Sequence, residues 1–243
     1  MSLLTVAVGL SALGGFGGLL VASSLLVLPS AARGRLVPWL VSYAVGALLG
    51  VALLELLPQA LASLSPRRTF ATLLGGILAF FVLEKLALWR HCHTHDCDVH
   101  GTSGPLVLIG DAAHNFMDGA VIGAAVFTSI PVAVSTAIAV LAHEIPHEVG
   151  DFAILLHAGY SRGRALAFNA LAEAAGVAGA AAAYLFLDSM PRVTPYVLSF
   201  ATASFLYVAM ADLIPDLHRG TFDVNPLRQV LLVTAGIGTV LLI

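Results

Sequence analysis

Apolar residues run along this chain in eight long blocks separated by short polar breaks. The blocks fall at approximately 3–28, 36–57, 69–89, 105–127, 132–157, 164–187, 195–214 and 227–243. A helix that crosses a bilayer needs roughly 20 mostly apolar residues, and each block supplies or nears that length. The breaks carry turn residues and charges: Arg33-Gly34-Arg35, Pro66-Arg67-Arg68, Ser129-Ile130-Pro131, Arg162-Gly163-Arg164, Pro191-Arg192 and His218-Arg219. The last block is the weakest, because Arg228 stands at its start. The pattern predicts an all-α membrane protein with eight transmembrane helices. It forms a single domain over residues 1–243, with a polar loop at 90–104.

Composition strengthens that reading. The chain is 59% hydrophobic and 10% charged, whereas a soluble domain carries about 25% charged residues. A net charge of −3 gives no footing for nucleic acid, so the bilayer is the expected partner. Cys92 and Cys97 share one short loop, which implies no disulfide framework. The first block lacks a basic leader and a small-residue cleavage site, so it is expected to be a retained span. With the amino terminus outside, Arg33, Arg35, Lys85, Arg90, Arg162, Arg164, Arg219 and Arg228 are cytoplasmic, eight of the 11 Lys and Arg. Arg67, Arg68 and Arg192 then face outward, in keeping with the excess of basic residues on the inner side of membranes. Both termini are therefore expected outside or in a lumen. The expected location is a cell (inner) membrane, with an endomembrane as the alternative. Gly14, Gly15, Gly17, Gly18, Gly46, Gly50, Gly176 and Gly179 lie in the blocks, where small residues let helices approach closely.

The chemistry sits where water is scarce. Block four reads His114-Asn115-Phe116-Met117-Asp118, and block five reads His143-Glu144-Ile145-Pro146-His147-Glu148. Ionisable groups at that depth are costly and face an interior path, a partner or an ion. At 3.6 residues per turn His114 and Asp118 share a helix face, as do His143 and His147. Facing each other, the pairs would supply three imidazoles and a carboxylate, a tetrahedral set for Zn²⁺ that also admits Fe²⁺, Mn²⁺ or Cd²⁺. Asn115 and Glu144, about 100° around their helices, would hold a second ion or orient the ligands. Asp111 would line the same helix toward one membrane side. Pro146 frees the carbonyl of Ala142 and is expected to kink its helix beside the ligands. Glu173, with Asn169 one turn before it, is favoured as a site residue. Glu55 and Asp212 divide evenly between a site role and gluing helices. The loop from His91 to His100 holds four histidines, two cysteines and two aspartates, an accessory chelator. His157 and His218, at membrane edges, are bystanders.

At these residues the sequence resembles the ZIP (Zrt/Irt-like) family of metal transporters, in the branch whose spans read HNFxDG and HExPHExGD. Here they stand as His114 to Gly119 and His143 to Asp151. The resemblance implies an eight-helix bundle with inverted three-helix repeats around a central pair, assembled as a homodimer. It implies transport of divalent zinc-like ions from outside, or from an organelle lumen, into the cytosol. It also implies that no cofactor is needed, the metal being cargo. His114, Asp118, His143 and His147 match the family's primary metal site, and Asn115, Glu144 and Glu173 its secondary one. Some members carry glutamate at the position of His147. A neutral imidazole has one lone pair and cannot bridge two metals as a carboxylate can, which counts against a two-metal centre here. Many relatives in this branch also carry a long extracellular domain, which this chain is expected to lack. Histidine protonation near pH 6–6.5 is expected to weaken binding (the unperturbed imidazole value is about 6.5).

Two rival classes share the ligands. His143-Glu144-Ile145-Pro146-His147 fits the HExxH pattern of zinc proteases, with Glu144 as general base. Against an enzyme stand Pro146 and the extra His and Asp of block four, which fill the position that a catalytic zinc leaves to water. A metal-sensing receptor would need no continuous polar path, and flux in vesicles separates it from a transporter.

Overall fold

The computed structural model describes residues 2–91, 103–218 and 225–243, and the regular elements among them are all helices. The His/Cys tract from Cys92 to His100 lies outside the described residues. The helices are α1 (Leu3–Leu25), α2 (Ser30–Gly50, continued by Val51–Leu56 and Leu57–Ser63), α3 (Pro66–His91) and α4 (Ser103–Ala125). They are followed by α5 (Ile130–His157), α6 (Arg162–Ser189), α7 (Thr194–Tyr207, continued by Val208–Leu213 and Ile214–His218) and α8 (Pro226–Leu241). Among the described residues, six stretches are long and apolar enough to cross a membrane: Leu3–Leu25, Ala31–Ser63, Pro66–Leu83, Ile130–His157, Arg162–Ser189 and Pro191–Leu213. Helix α8 is shorter, at 16 residues. Helix α4 dilutes its apolar run with Asp111, His114, Asn115 and Asp118.

The helix ends follow from local chemistry. The side chains of Ser2, Ser129, Ser161 and Asn225 accept from Thr5, Val132, Arg164 and Arg228 N–H groups, capping α1, α5, α6 and α8. Helix α5 stops at Gly159, whose φ of 87° suits glycine. Tyr160 N–H then bonds Leu155 C=O at 3.0 Å and Gly159 N–H bonds Leu156 C=O at 3.1 Å. One expected break moves. The helix of α2 already runs through Arg33-Gly34-Arg35, and the turn lies before Ser30. The polar first turn of a membrane helix remains helical because its charges can stand in headgroup water.

Two features lay outside the helical expectation. The backbone widens to π-helical turns at Val51–Leu56 in α2 and at Val208–Leu213 in α7. There Leu57 N–H reaches Ala52 C=O and Ile214 N–H reaches Ala209 C=O, five residues back in each case. Pro58 and Pro215 follow, and a proline ring collides with the carbonyl four residues earlier. Widening the turn before it relieves that collision. The two helices also share sequence at a constant offset: Pro38/Pro195, Ser42/Ser199, Ala44/Ala201, Val51/Val208, Ala52/Ala209, Glu55/Asp212 and Pro58/Pro215. Ser42 and Ser199 even donate to the carbonyls of Pro38 and Pro195 at the same 2.9 Å.

Packing repeats the symmetry. Helices α1, α4, α5 and α6 form one bundle, and α2, α3, α7 and α8 form another. Within them α1 pairs with α5 as α6 pairs with α4, and α2 pairs with α8 as α7 pairs with α3. Exchanging the first three helices with the last three preserves these pairings, as inverted repeats require. Helices α4 and α6 touch backbone to backbone: a Cβ on Gly119 would collide with Gly176 C=O. The main apolar core joins the bundles through Leu48, Val51, Leu56, Ile122, Ala125, Val140, Leu198 and Phe205.

Candidate metal centre

Helices α4 and α5 are joined by a short turn and run antiparallel, so ascending numbers on one face descending numbers on the other. That register decides which side chains meet. At one level His143 Nε2 lies 2.7 Å from Asp118 Oδ2, 3.3 Å from His114 Nε2 and 3.4 Å from Glu144 Oε1. His114 Nε2 is in turn 3.7 Å from Asp118 Oδ2 and 3.6 Å from Glu144 Oε1. Ligands about 2.0–2.1 Å from a tetrahedral zinc stand about 3.3–3.5 Å from each other. Most of these separations are close to the edges of that tetrahedron. His143 Nδ1 sits 2.9 Å from Ala139 C=O, which places its proton there and leaves the Nε2 lone pair for the group. Asp118, His143 and Glu144 are at most 2% exposed.

His147 lies one turn further along α5, and at that level α4 presents Asp111. Its Nδ1 is 3.9 Å from Asp111 Oδ1, 3.9 Å from Asp151 Oδ2 and 3.9 Å from Glu144 Oε2. Its ring lies 5.0 Å from that of His114, centroid to centroid, against 5.4 Å for the ring of His143. By donor atoms, Glu144 is the fourth member of the compact group, and His147 gathers with Asp111 and Asp151. Asn115 donates its amide to Asp111 Oδ1 at 2.8 Å. A third set of donors, Asp111, Glu144 and Glu148, joins the other two. Glu173 on α6 sits beside Glu148, and a Cβ on Gly15 of α1 would strike its carboxylate. Gly15 thus makes the room that Glu173 occupies.

Glu148 and Asp151 escaped the sequence reading as donors. They extend the Glu144 stripe at i+4 and i+7, so following the helical period past the motif's second histidine would have found them. Glu144, Glu148, Asp151 and Glu173 keep buried oxygens with no hydrogen-bond donor, as does Asp111 Oδ2. Such atoms are costly in a low-dielectric interior unless a cation faces them. Asn169, fully buried, donates to Glu148 Oε2 at 2.7 Å. Alanine there is expected to cost about 1–3 kcal/mol by stripping Glu148 of that donor. A melting midpoint of the metal-free protein in detergent checks this; a value equal to the parent's contradicts it.

The site opens one way. A cavity of about 630 Å³ is lined by Val37 and Val41 of α2, Gly110 and His114 of α4, His143, Pro146, His147 and Asp151 of α5, and Asp212 of α7. Pro146 lies inside α5, which continues as one helix from Ile130 to His157. Toward the other end Val121, Ile122, Ala125, Val140 and Phe205 close the space with apolar side chains. Glu55 and Asp212 occupy the paired π-helical turns, and Asp212 faces the cavity.

Comparison with known proteins points the same way. Residues 89–243 match the model of the ZIP zinc transporter family. The chain is 37% identical to zinc transporter ZIP13 of Pongo abelii over 216 residues, covering 82% of this chain and 64% of that protein. It is 31% identical to zinc transporter ZIP13 of Danio rerio, covering 84% and 75%. With zinc transporter ZIP4 of Homo sapiens it shares 31% identity, covering 73% of this chain and 38% of that one.

Proposed function

The chain belongs to the ZIP zinc transporter family, and on that premise we propose that it moves divalent transition-metal ions, zinc foremost, into the cytosol. The observation that carries this reading is the four-donor group of His114, Asp118, His143 and Glu144, set at zinc-like spacing where a one-sided cavity ends. Mixed imidazole and carboxylate ligands hold a zinc ion yet release it, where four thiolates would keep it as a structural ion. With the amino terminus outside, the cavity faces the cytosol. The ends of α1, α3, α5 and α7 and the starts of α2, α4, α6 and α8 lie on that side. Arg33, Arg35, Lys85, Arg162, Arg164 and Arg228 lie at or near those ends. The ion loads from the outer or lumenal side and leaves through the cavity after the two bundles shift, as alternating access requires. The assembly is a homodimer in a cell (inner) membrane or an endomembrane, and the His/Cys tract receives the ion.

Against the protease alternative count His114 and Asp118, whose donor atoms lie 3.3 Å and 2.7 Å from His143 Nε2 and would take the position that a catalytic zinc leaves to water. Saturable zinc entry into vesicles containing this protein alone, reduced by competing Cd²⁺, Fe²⁺ or Mn²⁺, is the expected result. Entry no faster than into protein-free vesicles overturns the proposal.

A further inference from the structure

At the end of the molecule where α1 turns into α2 and α5 into α6, a second cavity of about 430 Å³ opens between these helices. We propose that it binds an anionic phospholipid, the phosphate held between the guanidinium groups of Arg33 and Arg162 and the acyl chains lying on the apolar wall beside them. The site takes no part in holding the cargo. The orientation proposed above decides only the leaflet, which is the cytoplasmic one.

The polar part of the lining carries positive charge alone. Arg33, in the first turn of α2, and Arg162, the first residue of α6, both line the cavity, and no acidic residue does. Among the described residues neither guanidinium makes an ion pair or stacks on a ring, whereas Arg164 lies over the ring of Tyr160, 5.7 Å from its centroid. Ser23 of α1 lines the same space, and its Oγ is buried with no hydrogen-bond partner. A hydroxyl so placed can donate to a phosphate oxygen. Arg162 and Gly163 open α6, so their N–H groups have no carbonyl within the helix to bond, and Ser161 Oγ caps only that of Arg164. Guanidinium forks, a hydroxyl and first-turn N–H groups are the donors that phosphate oxygens accept from.

The rest of the wall decides between a lipid and a free anion. It is built by Leu26, Phe152, Leu156 and Leu166, together with Val27. Phe152 belongs to a small apolar core with Leu155 and Ala165, against which Leu26 and Leu156 pack, so this wall is firm. Val27 and Leu166 stand 86% and 42% exposed, which continues the apolar surface outward from the cavity. A soluble anion gains nothing from such a surface, whereas an amphiphile uses both parts. Basic pockets between membrane helices on the cytoplasmic side suit anionic headgroups for this reason. Arg33 rides on one bundle and Arg162 on the other, so a phosphate held by both bridges the two.

The test mixes the protein in detergent with phosphatidylglycerol or with phosphatidylcholine of the same acyl chains. Native mass spectrometry counts the lipid retained, and a melting curve reads the stabilisation. Phosphatidylglycerol should bind at least about tenfold more tightly and raise the melting midpoint, because a ligand of the folded state stabilises it. Arg33→Gln and Arg162→Gln should each weaken that binding about tenfold, as the loss of one charge-assisted contact does. Gly163→Phe keeps both charges, and a Cβ there meets nothing within 4 Å, so it should fold while narrowing the cavity and weaken binding too. Arg35→Gln removes an exposed charge outside the cavity and should bind as the parent does. Midpoints taken in phosphatidylcholine establish that each variant folds. Equal retention of the two lipids by the parent overturns the site, as does a loss in Arg35→Gln equal to that in Arg33→Gln and Arg162→Gln. Inorganic phosphate that raises the midpoint as far as phosphatidylglycerol does overturns the lipid as occupant.

Discussion

Alanine at His143 is expected to abolish zinc entry into vesicles while leaving expression and insertion intact. The imidazole is 2% exposed, and its Nε2 lies within 3.4 Å of an oxygen or nitrogen of Asp118, His114 and Glu144. It is the hub of the four-donor group, and Ala139 C=O on its other nitrogen sets its tautomer and ring plane. Losing only an outer partner of a metal ligand costs about 10–100-fold in affinity, and deleting the ligand costs more. The variant also leaves Asp118 facing a void in an interior where an unpaired carboxylate is expensive. Zinc flux and calorimetric binding on the same preparation measure the effect. Flux at the parent's rate from a normally inserted variant would remove the four-donor group from the mechanism.

The second large effect is structural. Valine at Gly119 is expected to prevent stable assembly of the bundle that carries the site. A Cβ there runs into the carbonyl of Gly176, and one on Gly179 runs into that of Phe116, so α4 and α6 meet on bare backbone. Overpacking a core costs about 1–3 kcal/mol when side chains can yield, and here the obstacle is main chain. Gly119 directly follows Asp118, so any separation of α4 from α6 also displaces a ligand. Gly75→Val is the fitting control, since nothing lies within 4 Å of a Cβ at that position. Detergent-extracted yield and melting midpoint compare the two. Equal values would mean that the α4–α6 contact does not hold the bundle.

Much of this architecture is readable from residue order. Blocks of apolar residues mark the helices, because in lipid only a helix satisfies its own backbone. Helical periodicity alone pairs His114 with Asp118 and His143 with His147 on interior faces. Which donors share a level it leaves open. That depends on the antiparallel register of α4 against α5, and a shift of one turn separates His147 from the compact group and brings Asp111 and Asp151 to it. The π-helical turns are local backbone adjustments to Pro58 and Pro215, invisible to a search for apolar periodicity. The α2 and α7 repeat that flags them is offset by most of the chain, beyond the short periods of repeat proteins. At Arg33-Gly34-Arg35 charge and glycine mimic a loop, yet the break falls a turn earlier, at Leu26 to Pro29.

Among the described residues, every donor identified at the centre rides on α4, α5 or α6, and none comes from α2, α3, α7 or α8. If the bundles shift as proposed, a cage owned by one of them would keep its ligands together while it moved, and the apolar seams of α5 against α2 and of α4 against α7 would be the surfaces that slide.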